Sequence, residues 1–374
     1  MARPSQHVLE RTSCRVDASG GVELRLTASL PARGRSIEGL ACAGMLCDAL
    51  PSAVARAVRR LDSDAGVAAA LEAHVDSVLD QRWLRDQLHE HGLVAFVADG
   101  AILPRRAGDD DRPMLGPAVV PFEATAAQCG ALRVELPARK RRSASSNEQH
   151  APTSITGLGV PEGVTVICGG GYHGKSTLLD ALKLACFDKV PGDGRERVVA
   201  RADVAAVKTE DGRYVSAVDV SAFVGQLPGR STSTASFSTL DASGSTSQAA
   251  SLAEALEAGA STLVFDEDTC ATNFMIRSPV MRRLVPNEPL TPFVDRVADL
   301  RDTHRVSSIL AIGGTADFLD VADAVVLMDH YKPSDATARA KQLLVAGTPG
   351  TPGRPRRPPP SEEQQQGHRV SSIL

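Results

Sequence analysis

The run Val164-Thr165-Val166-Ile167-Cys168, followed at once by Gly169-Gly170-Gly171-Tyr172-His173-Gly174-Lys175-Ser176, constrains the fold more than any other stretch. An apolar β-type segment, a glycine-rich turn and a Lys-Ser pair opening a helical pattern over Thr177–Leu184 fill the spacing G-x-x-x-x-G-K-[ST] in its strand–loop–helix context. Glycines let successive backbone N–H groups converge on phosphate oxygens. The helix start adds unpaired donors and the positive end of its dipole. The candidate phosphate-binding residues are therefore Gly169, Gly170, Gly171, Tyr172, His173, Gly174, Lys175, Ser176 and Thr177. Lys175 is placed to reach the β- and γ-phosphates and Ser176 to ligate Mg²⁺. His173 lies at the lip of the loop, either sensing phosphate or facing solvent. A flexible glycine loop ahead of a chance Lys-Ser is the bland alternative, and both flanks speak against it.

Composition sets the frame. A chain of 374 residues has room for about two or three domains. Its 43% hydrophobic content supports a sizeable core, and with only 3% aromatics that core must be built from Ala, Val and Leu. A net charge of −4 argues against a globally basic nucleic-acid binder, though not against a local basic patch. The seven cysteines (Cys14, Cys42, Cys47, Cys129, Cys168, Cys186, Cys270) form no C-x-x-C pair, which fits a reducing compartment. No apolar run reaches the roughly 18 residues of a membrane span, and Met1-Ala2-Arg3-Pro4-Ser5 lacks a secretory h-region. The expectation is a soluble intracellular protein, cytoplasmic or organellar, with no membrane-spanning segment.

Along the chain, Cys14–Asp17 and Val22–Leu30 read as a hairpin around Gly20-Gly21. Residues 36–91 read as Ala/Leu helices, with Pro51 near one start and Gly92 as a stop. Leu93–Val97 reads as a strand running into a polar loop that ends at Asp109-Asp110-Asp111-Arg112-Pro113. Arg139-Lys140-Arg141-Arg142 and the serine-rich stretch after it mark a composition break. Beyond it, Val164–Cys168, Thr262–Phe265, Ser307–Ile312 and Ala324–Met328 are near-continuous apolar strands alternating with helices, the signature of a parallel sheet covered on both faces. The expected organisation is an N-terminal α+β domain (1–137), a basic, serine-rich linker or insertion (138–157), an α/β nucleotide-binding domain with a parallel-rich sheet flanked by helices (158–345), and a disordered tail (346–374). His368–Leu374 repeats His304–Leu310 letter for letter, and a gene-model or splicing artefact is the expected origin.

A triphosphate site also needs a carboxylate at a neighbouring strand end. Ser261-Thr262-Leu263-Val264-Phe265-Asp266-Glu267 supplies two: Asp266 for Mg²⁺, and Glu267 to polarise an attacking water. Asp241-Ala242-Ser243-Gly244-Ser245-Thr246-Ser247-Gln248 opens an Ala/Leu helix over Ala249–Glu257, with Ser243 twenty-three residues before Asp266. A helix start of small hydroxyl residues is a good anion site. It cannot easily serve the phosphates already lined by the Lys175 loop, so the economical arrangement sets it against a nucleotide held by a second subunit. A serine-rich helix cap is the plainer alternative.

These residues resemble the ABC-class ATPases, with Ser243-Gly244-Ser245 standing as a degenerate form of their Ser-Gly-Gly signature and Asp266–Asn273 running parallel to their Walker B and D-loop stretch. More narrowly, the chain resembles the soluble "ATPase of the ABC class" family, which includes a trypanosome mitochondrial RNA-editing-associated ATPase. The matching phrases include 169–179, Pro191–Glu196, Ala242–Ala250, Asp266–Thr269, Ala271–Arg277, Thr291–Val297, Leu9–Ser13 and 92–105. The resemblance implies ATP and Mg²⁺ as ligands, Lys175 and Glu267 as catalytic residues, Ser176 and Asp266 at the metal, and a homodimer closed in trans by Ser243, Gly244 and Ser245. Departures are an N-terminal region of the family expected to be missing here, Ile312-Gly313-Gly314-Thr315 where a switch histidine is common, Cys270 for a small Ser, Asn273 for an Asp, and only Gln226 as a Q-loop candidate. The Gly313 segment would then sense the γ-phosphate through backbone or Thr315.

The function expected is hydrolysis of Mg-ATP by a nucleotide-sandwich dimer. A nucleotide-dependent RNA-binding scaffold, suggested by the tetrad 139–142, is the alternative. A small-molecule kinase with Arg195 and Arg197 in a lid is the distant one, and membrane transport is disfavoured. Pro191-Gly192-Asp193-Gly194 reads first as a turn, with Asp193 or Glu196 near Mg²⁺ as the weaker option.

Overall fold

The computed structural model describes residues 5–124, 132–136, 153–225 and 233–346. Cys129, the tetrad 139–142, Gln226 and the tail with its repeat lie outside the described residues.

The N-terminal hairpin forms, with β1 (Cys14–Val16) antiparallel to β2 (Val22–Leu24). The Asp17 carboxylate accepts 2.8 Å hydrogen bonds from the Ser19 and Gly21 N–H groups and so pins the turn. The second strand stops at Leu24 because the first offers only three partners. The expected helices follow as α1 (Gly39–Gly44), a π-helical turn (Met45–Ala49), α2 (Leu50–Ser63) and α3 (Ala65–Glu90). Asp64 caps α3 by accepting from the Gly66 and Val67 N–H groups. By length and composition alone, Gly39–Arg60 is long and apolar enough to cross a membrane, at mean hydropathy 1.3, and only 6% of that window is buried. The sequence expectation is of no membrane span, and a single apolar helix that passes by length and composition alone is weak ground for one. Asp48 and Arg56 interrupt the run, yet Ala, Leu and Cys keep its average apolar.

Gly92 ends the helical region in the left-handed conformation, φ 62°, and β3 (Leu93–Ala98) follows, wholly buried. The polar loop after it holds a small hairpin of β4 (Arg105–Ala107) and β5 (Asp110–Pro113) that the sequence pattern did not announce. Next come β6 (Leu132–Leu136), β7 (Thr153–Pro161), β8 (Val164–Gly169), α4 (Lys175–Lys183), β9 (Val198–Ala200) and β10 (Val204–Val207). Further along come α5 (Gly244–Glu257), β11 (Thr262–Asp266), α6 (Phe293–Asp302), β12 (Ser307–Ala311), β13 (Ala324–Asp329) and β14 (Lys332–Asp335), among shorter elements.

Two sheets organise these elements. The larger runs β10-β11-β12-β8-β13-β14, parallel except for the antiparallel edge pair β13–β14. The smaller is antiparallel, in the order β9-β3-β7-β6. It therefore draws strands from both sides of the 138–157 segment.

Alternation along the strands explains the layering. Val166, Leu263, Phe265 and Leu310 face one core, shared with α5 (Leu252, Leu256) and α6 (Phe293, Val297). Ile167, Val264, Ile309 and Ala311 face the other, shared with Leu178, Leu179 and Leu182 of α4 and with Val94, Val97 and Val160 of the antiparallel sheet. A third cluster seats Leu84 and Leu88 of α3 on that sheet's far side, against Phe96, Val134 and Ile155. The helix α4 is thus clamped between two sheets. The loop that starts it is held at the carboxyl ends of β8, β11 and β12, where ligands gather in α/β folds.

Candidate active site around the phosphate loop

The loop leaves β8 at Gly169, whose φ of 148° and contact with the Met328 carbonyl leave no room for a side chain. It re-enters helix at Gly174, φ 94°, where a Cβ would lie 2.8 Å from the Tyr331 ring. Between them Gly171 opens onto free space, while the His173 ring lies over Gly170. Tyr172 is nearly fully exposed. Ser176 and Thr177 sit in the first turn of α4, where N–H groups have no partner within the helix. Lys175 Nζ folds back and donates to the Gly169 and Gly170 carbonyls at 3.0 and 2.9 Å. That ring of backbone carbonyls and ammonium is a cradle closed on itself, which an anion would reopen.

The two acids take different directions. Asp266 shares the α4-facing side of β11 with Val264, and its carboxylate lies 3.8 Å from Lys183 Nζ. Burial pushes the Asp266 carboxyl up, and Lys183 pulls it part of the way back. Among the described residues no hydrogen bond or ion pair joins Asp266 to Ser176. The donor set still fits a hard dication, since a hydroxyl and a carboxylate are oxygen ligands, and added positive charge would relieve the cost of the buried carboxylate. Glu267 turns to the end of β12, where the Gly313 and Gly314 N–H groups donate to its Oε2, the latter at 2.9 Å. The Cβ position of Gly313 is 3.7 Å from Lys175 Nζ and 3.9 Å from Glu267 Oε2. The catalytic candidates from two distant stretches thus flank one glycine. Thr315 is spent elsewhere, donating to Asp317 Oδ2 at 2.7 Å. Of the two options for this segment, the backbone N–H groups face the site.

Ser243 is the N-cap of α5, and its hydroxyl shares a 3.0 Å hydrogen bond with Thr246 Oγ1. The Gly244 carbonyl accepts from Thr209 Oγ1 (2.9 Å) and Ser247 Oγ (2.8 Å). A Cβ at Gly244 would press on the Asp211 and Thr209 side chains at 2.8 and 2.9 Å, so a larger residue there must displace them. Among the described residues, none of the hydrogen bonds of Ser243, Gly244 and Ser245 reaches 169–176. Gln248, which sequence reasoning passed over, is fully buried and accepts from the Ala271 N–H at 2.8 Å. It ties the start of α5 to the segment after the acids. A polar residue on the apolar stripe of α5 was the available signal. Burial holds the neighbouring Cys270 thiol up at about 11, so it stays protonated at neutral pH.

The PGDG stretch is structural. Gly192 and Gly194 make a turn with φ 81° and 82°, Asp193 is buried against Arg105 at 2.7 Å, and Glu196 accepts from the Gly192 N–H. Arg195 is corrected from a lid residue to a buried wall residue, since it donates to the Leu103 carbonyl and burial lowers it to about 10. Beside Gly174 and Thr177 opens a cleft of about 720 Å³, lined on one side by Leu103, Pro104, Met114 and Phe122 and on the other by α4 and Tyr331.

This assembly defines a P-loop nucleotide-binding protein of the ABC type. Residues 67–358 match the family model of the ABC-ATPase P-loop domain, and the chain belongs to that family. Residues 1–61 match a model for the N-terminal part of ATPases of the ABC class. An uncharacterized protein of Methanocaldococcus jannaschii is 26% identical over 263 residues, covering 68% of this chain and 54% of that one. The chain thus spans about half the length of that relative. Among solved structures, an ATP-binding cassette of an ABC transporter in its ADP conformation aligns with TM-score 0.33 and 13% identity, covering 52% of this chain and 87% of that one. A subunit of the Clostridium perfringens cbiONQ ABC transporter complex aligns with TM-score 0.37 and 14% identity, covering 68% and 94%.

Proposed function

We propose that this protein hydrolyses Mg-ATP and that two copies close around the nucleotide. The observation that carries the reading is the meeting of Lys175 and Glu267 across Gly313. In it, Lys175 leaves the Gly169 and Gly170 carbonyls for phosphate oxygens, joined by the N–H groups of the loop and of the first turn of α4. Glu267, held in place by the Gly313 and Gly314 N–H groups, orients a water in line with the γ-phosphate and accepts its proton, giving ADP and inorganic phosphate. Ser176 and Asp266 would hold Mg²⁺, whose charge neutralises the β- and γ-oxygens. The nucleoside lies in the cleft beside Thr177, between Phe122 and Tyr331. Ser243, Gly244 and Ser245 face the nucleotide of the other copy, which agrees with their lack of hydrogen bonds to their own loop. Loss of the γ-phosphate opens the pair, a switch read by one phosphate.

The test is sizing of the Glu267→Gln variant with and without Mg-ATP, alongside phosphate release. Retained nucleotide binding, an ATP-trapped dimer and turnover lowered by roughly 10²–10⁴-fold are expected, the usual span for a lost general base. Undiminished phosphate release would remove Glu267 from its role.

A further inference from the structure

Among the described residues, one cluster of metal-ligating side chains joins the lip of the phosphate loop to the turn after β13. His173 comes from the loop, and Asp329 and His330 come from the end of β13 and its turn into β14. Their ligand atoms all lie within 4.8 Å of one another. Asp329 Oδ1 sits 3.1 Å from His173 Nδ1 and 2.8 Å from His330 Nδ1. The two rings are 4.6 Å apart between centroids and tilted by 37°. The backbone holds this arrangement. Tyr172, His330 and Tyr331 have φ of 62°, 46° and 67°, a region that side chains other than glycine rarely enter. The Tyr331 N–H donates to the His173 carbonyl at 3.1 Å, stitching the turn to the loop. Strained backbone at three positions, all aimed at one cluster, is the pattern of a functional constraint.

We propose that His173, Asp329 and His330 form a binding site for a transition-metal dication of the zinc class. Two imidazoles and one carboxylate suit zinc and its neighbours, whereas magnesium and calcium prefer oxygen alone. Three protein ligands leave a further position for water, as in exchangeable rather than closed structural sites. The single Asp329 oxygen now serves both rings, and a metal takes over that bridging role. Side-chain exposures of 29%, 66% and 84% give the ion an open path. The site fastens the loop to the β13–β14 turn, so its occupancy alters how the loop receives phosphate, a consequence that rests on the nucleotide reading above.

The test titrates zinc chloride alone into the chelator-stripped full chain by calorimetry, and follows Co²⁺ by its visible absorption. One equivalent is expected, with affinity reduced at least tenfold in both His173→Ala and His330→Ala, and unchanged in a control, His89→Ala, on the exposed face of α3. Circular dichroism checks that each variant is folded. Titrations of the His173 and His330 variants that match the parent would overturn the site. So would equal loss in the control. Zinc is further expected to shift the affinity for a fluorescent ATP analogue in the parent and not in His330→Ala. Zinc binding without any nucleotide binding keeps the metal site and removes the ATPase reading instead. Nucleotide binding that ignores bound zinc removes the coupling.

Discussion

The starts of α4 and α5 are both helix N-termini that present small residues, and they are furnished in opposite ways. The α4 start carries Lys175, with Glu267 and the Gly313 and Gly314 N–H groups nearby. With no Lys or Arg in its first turn and the Asp211 carboxylate beside Gly244, the α5 start offers only backbone and hydroxyl donors. Its side chains are tied into a scaffold by Thr209, Ser247 and Gln248. One end is equipped for chemistry, the other only for contact. An end of the second kind gains a role when another molecule brings a charge to it, which is why the dimer is the economical reading.

The largest expected effect separates the two ends. Lys175→Ala removes the ammonium bonded to the loop carbonyls, and nucleotide affinity is expected to fall by about 100-fold or more, since a charge-assisted contact to phosphate is among the strongest available. Calorimetry with ATP reads it directly. Gly244→Val attacks the other end. Its side chain would displace Thr209 and Asp211 and shift the α5 start. Nucleotide binding to the monomer is expected to persist, while ATP-dependent dimerisation and turnover fall by about tenfold, the cost of losing backbone donors to one phosphate. If Gly244→Val weakened binding as much as Lys175→Ala, the two ends would belong to one site in one chain, and the comparison would fail.

A smaller effect concerns Asp266. Burial raises its carboxyl, so ionising it costs the apo fold. A raised carboxyl binds its proton more tightly folded than unfolded, and stability is therefore lost as pH climbs past the ordinary carboxylate range. Asp266→Asn is expected to raise the melting temperature at neutral pH by about 1 °C or less, the scale of a fraction of a kcal/mol in a chain this long. It should also abolish magnesium-dependent phosphate release. Thermal melts and phosphate assays on the same preparation check both halves. A lower melting temperature would mean that Lys183 outweighs burial.

The sequence made the central sheet legible because strands covered on both faces are apolar throughout, and Val164–Cys168, Thr262–Phe265, Ser307–Ile312 and Ala324–Met328 all pair in it. The glycine loop and the acids were legible for the same reason, as each ends such a strand. The antiparallel sheet was not. Its members β3, β6, β7 and β9 lie far apart in sequence, and nothing in a strand's own pattern names its partner. The β4–β5 hairpin hid in a polar loop because both of its strands are exposed and carry Arg and Asp rather than alternating apolar residues. The Glu267–Gly314 bond was invisible too, since a backbone N–H donor leaves no mark in the residue type. His330 carries no local signal at all, and only the left-handed turn brings it to His173.

The smallest expected effect concerns a buried ammonium away from the cradle. Lys189 is buried, its ammonium donates to the Leu184 carbonyl at 2.6 Å, and Gln81 brackets its backbone on both sides. Burial lowers it to about 8 although Asp193 pulls upward. Between about pH 8 and the ordinary lysine range the unfolded chain binds a proton that the folded chain has released, so stability rises with pH across that window. The penalty is present in full below pH 8. Lys189→Met removes the charge and keeps the volume, at the cost of leaving the Leu184 carbonyl without its donor. It is expected to flatten the rise in denaturant midpoint between pH 8 and 10 while leaving ATP affinity within about twofold, because Lys189 bonds to no residue of the phosphate loop. A midpoint that climbs equally in parent and variant would assign the rise to another group. An ATP affinity that fell with it would place the Lys189–Asp193 cluster inside the nucleotide site rather than behind it.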